Sequence, residues 1–173
     1  QRLAAGASLT EVTAEIAAAW DLRCRLLPVT DDPIETRVTL ADGDEIGFQE
    51  YFVRLQHDVP VAAVRFAGAD AATPTPATLA AIDGAETLVI APSNPIVSIG
   101  PVLAVPGVRE RVEARRARNV AVSPIIGGKA LKGPADRMLR ELGEEATVVG
   151  VARRYRELAA VSYTHLRAHE TAT

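Results

Sequence analysis

The sequence predicts an α/β fold of the Rossmann-like, three-layer kind with a mostly parallel sheet. Three observations support this prediction. From about residue 87 onward, short β-branched segments alternate with helical segments, which is the pattern of βαβ units. Glycine- and proline-rich loops follow two successive strands of that unit. The 173 residues, 48% of them hydrophobic and 24% charged, have the composition of an ordinary globular domain.

An amphipathic helix is predicted near the start of the chain, from Ser8 to about Trp20. Ser8 and Glu11 have the spacing of a capping box, in which each residue bonds the other's backbone N–H. One face of this helix carries the apolar residues Leu9, Val12, Ile16 and Ala19.

Three strands are predicted between this helix and residue 70, over residues 24–29, 36–40 and 61–66. Thr30-Asp31-Asp32-Pro33 and Asp42-Gly43 favour turns between them. Cys24, the only cysteine, is then an inert core thiol. A short helix over residues 48–55 places its aromatic residues in the core.

The second half of the chain is predicted to alternate strongly between strands and helices. The strands cover residues 87–91, 119–123 and 146–151, and the helices cover residues 76–82, 108–116, 134–142 and a segment ending at Leu158. We expect the domain to occupy residues 1–160. Residues 161–173 resemble a translated read-through tail, so His165 and His169 in this segment are interpreted as a loose tail rather than a metal site.

Charge and composition exclude several classes of partner. The net charge is −3 and no run of five or six like charges occurs, so we expect no nucleic-acid partner. No apolar stretch approaches the ~18 residues that a membrane helix needs, so we expect no membrane span. A single cysteine excludes an internal disulfide and fits a cytoplasmic location.

Two loops after neighbouring strands are the candidate site. Since the carboxyl ends of parallel strands border the ligand crevice, both loops should face one ligand. Their candidate binding residues are Ser93, Asn94, Ser98, Gly127, Gly128, Lys129 and Lys132. The glycines can aim N–H groups at an anion, and the chain's only two lysines suit phosphate oxygens. The alternative is an ordinary exposed Gly-Gly-Lys turn, because the spacing is not that of a P-loop.

Asp31 and Asp32 are the one acidic pair considered as metal ligands. One or two carboxylates can hold a magnesium ion. An Asp-Asp-Pro turn also has a purely structural explanation, which we favour. No arrangement of serine, histidine and acid stands out for nucleophilic catalysis, so no catalytic residue is assigned.

The two loops resemble those of the 2-phospho-L-lactate transferases of coenzyme F420 biosynthesis. The resemblance is carried by residues 91–109, which begin Ala91-Pro92-Ser93-Asn94-Pro95, and by residues 122–138, which include Ser123-Pro124-Ile125-Ile126-Gly127-Gly128. Residues 8–13, 30–33 and 48–53 are similar to the same family in the same order, so the resemblance covers about residues 1–160.

This resemblance implies a magnesium-dependent transfer. A guanosine diphosphate-linked donor carrying a phospholactyl or phosphoenolpyruvyl group is attacked by a ribitol hydroxyl of the deazaflavin Fo, giving F420-0 or dehydro-F420-0 and GMP. Ser93, Asn94, Gly128, Lys129 and Lys132 are expected to contact the diphosphate and the neighbouring deazaflavin. The family also implies a homodimer. Which of the two donors is used stays open.

Family members open with a glycine-rich strand-to-helix loop and with acidic residues implicated in metal binding. No Gly-Gly-Thr-Gly-Gly stretch occurs in this sequence. We therefore expect an amino-terminally truncated transferase, with an incomplete sheet and with the Mg²⁺ ligands upstream of this chain. The alternatives are a nucleotide-sugar-binding regulatory protein similar to the gluconeogenesis-factor family, and an inactive fragment.

Overall fold

The computed structural model describes residues 1–130 and 132–163. Its helices are α1 (Leu9–Ala19), α2 (Pro76–Gly84), α3 (Gly100–Ala104), α4 (Val108–Ala114), α5 (Ala135–Glu141) and α6 (Val148–Arg154). Its strands are β1 (Glu35–Leu40), β2 (Glu45–Gly47), β3 (Val61–Ala67), β4 (Leu88–Ile90), β5 (Asn119–Val122), β6 (Ile125–Ile126), β7 (Lys129–Ala130) and β8 (Val161–Tyr163). Single π-helical turns occur at Glu50–Arg54 and Pro95–Ile99, and 3-10 turns at Leu3–Ala5, Ala69–Ala71 and Arg116–Arg118.

The strands form two three-stranded sheets and one hairpin. The first sheet has the order β2-β1-β3 and is antiparallel, with Val38 opposite Ile46 on one side and Val64 on the other. The second sheet has the order β4-β5-β8 and is parallel, with Val120 opposite both Val89 and Val161. The α/β class is confirmed. Five of the eight described strands, β1, β2, β3, β6 and β7, belong to antiparallel ladders, which the prediction of a mostly parallel sheet missed.

The core is built where helices cover these sheets. The largest cluster joins the parallel sheet to α4, α5 and α6 through Ile90, Ala121, Val112, Met138, Leu139, Val151, Tyr155 and Leu158. A second cluster lies under the antiparallel sheet and contains Val38, Leu40, Tyr51 and Val61. Leu142 packs against both clusters, so the two sheets share one continuous apolar interior.

Local sequence signals placed several elements correctly. The Ser8 hydroxyl accepts a 3.1 Å bond from the Glu11 N–H, and the Glu11 carboxylate accepts a 2.8 Å bond from the Ser8 N–H, so the predicted capping box begins α1. Strands β1 and β3 lie where they were expected, and Gly43 adopts a φ of 97° in the turn between β1 and β2.

The strand predicted over residues 24–29 is wrong. These residues, all of which the structure describes, form no strand, and Cys24 is exposed rather than a core thiol. Their backbone bonds to the start of α2 instead. The hydroxyls of Thr75 and Thr78 donate to the Pro28 carbonyl at 3.0 and 2.9 Å, and the Thr75 N–H donates to the Val29 carbonyl. The carbonyls of Pro28 and Val29 are therefore occupied by α2 rather than by a neighbouring strand.

The strand predicted over residues 146–151 is also wrong, because α6 occupies most of it. The Thr147 hydroxyl accepts a 3.0 Å bond from the Gly150 N–H and caps that helix. The third parallel strand is β8, at the start of the segment interpreted as a read-through tail. His165 and His169 lie outside the described residues. Within the part that the structure describes, no helix has the length and apolar character needed to cross a membrane.

Candidate functional site

A cavity of about 700 Å³ opens where the loops that follow β4 and β5 meet the beginning of α5. Three chain segments line it together with two aromatic residues. The lining residues are Phe48, Phe52, Pro92, Ser93, Asn94, Val97, Ser98, Pro124, Lys132, Gly133, Pro134 and Ala135. The two loops therefore face one space, as the carboxyl ends of neighbouring parallel strands predict.

The loop after β4 provides the polar side of the cavity. The Asn94 side-chain oxygen accepts bonds from the N–H groups of Ile96 (2.9 Å) and Val97 (3.3 Å), which caps the π-helical turn that follows. Its amide nitrogen lies 3.7 Å from the sulfur of Met138 in α5. Asn94 is thus held in one orientation by both of its polar atoms. Ser93 and Ser98 flank it on the cavity wall.

Two phenylalanines form an aromatic wall of the cavity. The ring centroids of Phe48 and Phe52 are 5.6 Å apart, and those of Phe52 and His57 are 5.3 Å apart. Sequence analysis placed this aromatic segment in the core, which is correct for the fully buried Tyr51 but not for Phe52, which is 40% exposed. The spacing of Tyr51 and Phe52 in the sequence could have shown this difference, because neighbouring residues of a helix point in different directions.

The Gly127-Gly128 pair has a structural role that the sequence left open. With φ angles of 58° and 80°, these glycines form the two-residue turn that joins β6 to β7, and Ile126 pairs with Lys129 across it. Glycine adopts two successive positive φ values at no steric cost, so a Gly-Gly pair suits a two-residue hairpin turn. Gly127, Gly128 and Lys129 are not among the described residues that line the cavity, whereas Lys132 is. The two lysines of this loop therefore stand in different surroundings.

Asp31 and Asp32 are engaged by the backbone. An Asp31 carboxylate oxygen accepts a 2.7 Å bond from the Thr10 N–H, and an Asp32 oxygen accepts a 2.7 Å bond from the Thr73 N–H. This agrees with the turn interpretation. Among the described residues, no group of three or more His, Cys, Asp and Glu side chains could hold a metal ion. The one acidic pair considered as Mg²⁺ ligands thus accepts backbone hydrogen bonds, and neither carboxylate is among the described residues that line the cavity.

Comparison with known proteins identifies related sequences. Residues 1–170 match the family described as 2-phospho-L-lactate transferase CofD. A phosphoenolpyruvate transferase of Mycobacterium avium is 48% identical over 160 residues, which are 90% of this chain and 48% of the relative. Proteins of the same name from Kitasatospora aureofaciens and Thermobifida fusca are 47% and 44% identical over 158 residues. The chain spans about half the length of the curated relatives that it matches.

Solved structures show the same fold at lower identity. A crystal structure of a protein from Bacillus halodurans superposes with a TM-score of 0.58 and 20% identity, covering 95% of this chain and 58% of that protein. A second crystal structure of that same protein, described as a member of the UPF0052 family, gives a TM-score of 0.55 and 23% identity, covering 70% of this chain and 38% of that one. At this identity the similarity concerns the fold alone.

Proposed function

The chain belongs to the 2-phospho-L-lactate transferase CofD family, and on that premise we propose that its cavity binds the substrates of a phosphoenolpyruvyl transfer. In the proposed reaction, a guanosine diphosphate-linked donor passes its phosphoenolpyruvyl group, or the related phospholactyl group, to the deazaflavin Fo. The products are dehydro-F420-0, or F420-0, and GMP. The name that the relatives share, phosphoenolpyruvate transferase, supports the phosphoenolpyruvyl donor.

The observation that carries this proposal is the pairing of chemistries in one cavity. Phe48 and Phe52 offer an aromatic wall to a planar ring system, while Lys132 offers a positive charge to phosphate oxygens. The cavity volume of about 700 Å³ lies within the range of roughly 300–1,000 Å³ typical of small-molecule sites. The Asn94 contacts hold the loop between these two regions in a fixed shape.

The proposed chemistry is an in-line displacement at phosphorus. The ribitol hydroxyl oxygen of Fo forms a bond to the phosphorus that bears the enolpyruvyl group, the hydroxyl proton passes to water, and the bond from that phosphorus to the oxygen shared with GMP breaks. GMP leaves with the bonding electrons. Lys132 and the loop backbone contribute by holding the diphosphate and stabilising its charge. We propose that the Mg²⁺ ligands belong to the portion of the relatives that this chain does not match.

Further features of the proposal concern the whole enzyme. A Rossmann-like sheet would place the carboxyl ends of its strands beside the cavity, as β4 and β5 already are. A cytoplasmic location and a homodimer belong to the same proposal.

The test is a calorimetric titration of the whole chain with Fo and, separately, with GDP. We expect saturable binding that Lys132→Ala weakens by roughly tenfold, since one charge-assisted hydrogen bond contributes about 1.5–3 kcal/mol. Lys129→Ala is the matched control, because Lys129 belongs to β7 and is not among the described lining residues. Equal effects of both substitutions would remove the assignment of Lys132. A folded chain that binds a nucleotide sugar but not Fo would favour the regulatory alternative.

A further inference from the structure

A second cavity, of about 360 Å³, lies between α3, the start of α4 and the end of α6. None of its described lining residues lines the candidate site. The π-helical turn after β4 separates the two spaces, because Pro95 lines the second cavity while Asn94 and Val97 line the first. The second cavity is therefore a separate space that shares one wall segment with the candidate site.

The charged side chains of this lining are all positive. Arg109 comes from α4 and Arg154 from the last residue of α6, and no Asp or Glu is among the described lining residues. Each guanidinium bonds through Nη1 to a carboxylate outside the lining: Arg109 to Glu113 at 2.8 Å, and Arg154 to Glu144. Among the described residues, neither Nε nor Nη2 of these two arginines has a hydrogen-bond partner. These groups are therefore available to a ligand.

The polar side chains of the cavity are mainly hydrogen-bond donors. A guanidinium carries five N–H donors in a planar fork and no acceptor. Tyr155, which is 2% exposed, belongs to the same lining, and its hydroxyl has no hydrogen-bond partner in the part of the chain that the structure describes. A carboxylate or a phosphate offers acceptors only, and its paired oxygens match the guanidinium fork. The chemistry of the lining therefore favours an anionic group.

The rest of the wall is apolar. Phe66 at the end of β3, Leu103 of α3 and Leu158 after α6 contribute the large apolar side chains. A Cβ on Gly100 would lie 2.6 Å from the Cζ atom of Phe66, so the missing side chain lets the Phe66 ring lie against α3. The volume of about 360 Å³ is at the small end of the range of roughly 300–1,000 Å³ for ligand sites. The cavity thus fits a small molecule that has an apolar part as well as a charge.

We infer that this second cavity binds a small organic anion, whose carboxylate or phosphate is held by Arg109 and Arg154 and whose short apolar part packs against Phe66 and Leu103. The inference does not rest on the proposed transfer, because that proposal uses no residue of this cavity. The ligand would touch Pro95 and so contact the turn that Asn94 caps from the other side.

The experiment is a calorimetric titration of the whole chain with four probes. Phenyl phosphate and benzoate each join an anionic group to a ring, whereas inorganic phosphate lacks the ring and benzyl alcohol lacks the charge. We expect saturable binding of a ring-bearing anion, and the tighter of the two identifies the anionic group. Inorganic phosphate should bind at least about tenfold more weakly, because it buries no apolar surface. Benzyl alcohol should not bind measurably.

Matched variants test whether the two lining arginines hold the anion. Arg109→Gln and Arg154→Gln should each weaken binding by roughly tenfold, because each removes a charge-assisted hydrogen bond. The controls are Arg111→Gln on α4 and Arg153→Gln on α6. Both control residues are also ion-paired with a carboxylate, and neither is among the described lining residues. The controls should bind as the wild type does, and circular dichroism checks that every variant is folded.

Three results would overturn the inference. The first is a folded chain that binds neither phenyl phosphate nor benzoate. The second is equal weakening by the lining and control arginine variants, which would assign the binding to the general positive charge of the surface. The third is weakening by Lys132→Ala but not by Arg109→Gln or Arg154→Gln, which would place the anion in the candidate site. Failure of Fo binding alone would leave this inference standing, because Fo is proposed for the other cavity.

Discussion

Arg137 and Tyr51 connect the two halves of the structure. The Nη2 atom of Arg137, on α5, donates a 2.8 Å hydrogen bond to the phenolic oxygen of Tyr51 and a 2.9 Å bond to the Val59 carbonyl. One helical turn later, the Glu141 carboxylate accepts a 2.9 Å bond from the Val61 N–H. Since α5 begins at the cavity wall and Tyr51 lies between Phe48 and Phe52 of the aromatic wall, these contacts join the two sides of the candidate site.

Tyr51→Phe is expected to destabilise the fold. The substitution keeps the ring in the second core cluster but removes the acceptor of the Arg137 bond and leaves a partly buried guanidinium without that partner. We expect a loss of about 1–3 kcal/mol in the free energy of unfolding, measured by urea denaturation. An unchanged midpoint would show that the remaining bond to the Val59 carbonyl and the ion pair with Glu141 satisfy Arg137 without Tyr51.

Tyr155→Phe is not expected to lower the free energy of unfolding, although Tyr155 is as deeply buried as Tyr51. Its side chain is 2% exposed, and its hydroxyl has no hydrogen-bond partner among the described residues. Burying an unpaired hydroxyl opposes folding, so its removal should leave the free energy of unfolding unchanged or raise it by about 1 kcal/mol. The same denaturation series tests this. A clear destabilisation would mean that an ordered water or another group satisfies the hydroxyl.

The buried Tyr155 also predicts a loss of stability in alkali. Burial raises the pKa of Tyr155 from 10.0 to about 12, because the phenolate is disfavoured in an apolar surrounding. The unfolded chain therefore releases the Tyr155 proton at a lower pH than the folded chain does. The contribution of this pKa difference to the free energy of unfolding is fully present below about pH 10 and is lost as the pH rises towards 12. Denaturation midpoints between pH 9 and 12 should fall less steeply for Tyr155→Phe than for the wild type, a range chosen to bracket both pKa values. Parallel curves would contradict this assignment.

Gly150 is expected to be intolerant of a side chain. A Cβ at this position would collide with the backbone carbonyl of Glu145, which cannot move away without disturbing the start of α6. We expect Gly150→Ala to cost about 2 kcal/mol or more. Gly84→Ala is the matched control, since its Cβ would meet nothing within 4 Å at the end of α2. That change should be neutral or stabilising by up to about 1 kcal/mol. Equal effects in thermal denaturation would exclude the steric explanation.

Asn94→Ala is expected to loosen the cavity loop, and Asn94→Asp is expected to retain its shape. Alanine removes the oxygen that caps the turn at Ile96 and Val97, while aspartate keeps an acceptor in the same place. The loss in stability should be about 1 kcal/mol for alanine and much smaller for aspartate. Hydrogen exchange of the Ile96 and Val97 amides reports the cap directly. Faster exchange in both variants would show that the amide contact with Met138, rather than the cap, holds the loop.

The sequence correctly predicted those helix starts and turns that are determined by residues close together in the chain. The capping box at Ser8 and Glu11 begins α1, the Asp42-Gly43 pair turns the chain between β1 and β2, and Pro76 follows the cap residue Thr75 at the start of α2. The convergence of the two loops on one cavity also followed from sequence, because strand order alone brings neighbouring carboxyl ends together. The family was recognised from those same loops.

The tertiary structure decided what depends on a partner distant in the chain. Residues 24–29 have the composition of a strand, yet they form none. The hydroxyls of Thr75 and Thr78 donate hydrogen bonds to the Pro28 carbonyl instead. The apolar residues after Ala146 form α6, whose N-terminus Thr147 caps. The third parallel strand is β8 instead. Of the two lysines in one loop, Lys132 lines the cavity while Lys129 pairs across a hairpin. The amphipathic pattern of α1 correctly predicted a helix, but its apolar residues Leu9 and Ile16 are 40% and 43% exposed, which the pattern could not show. Periodicity fixes the direction in which a side chain points, and only packing fixes what it meets.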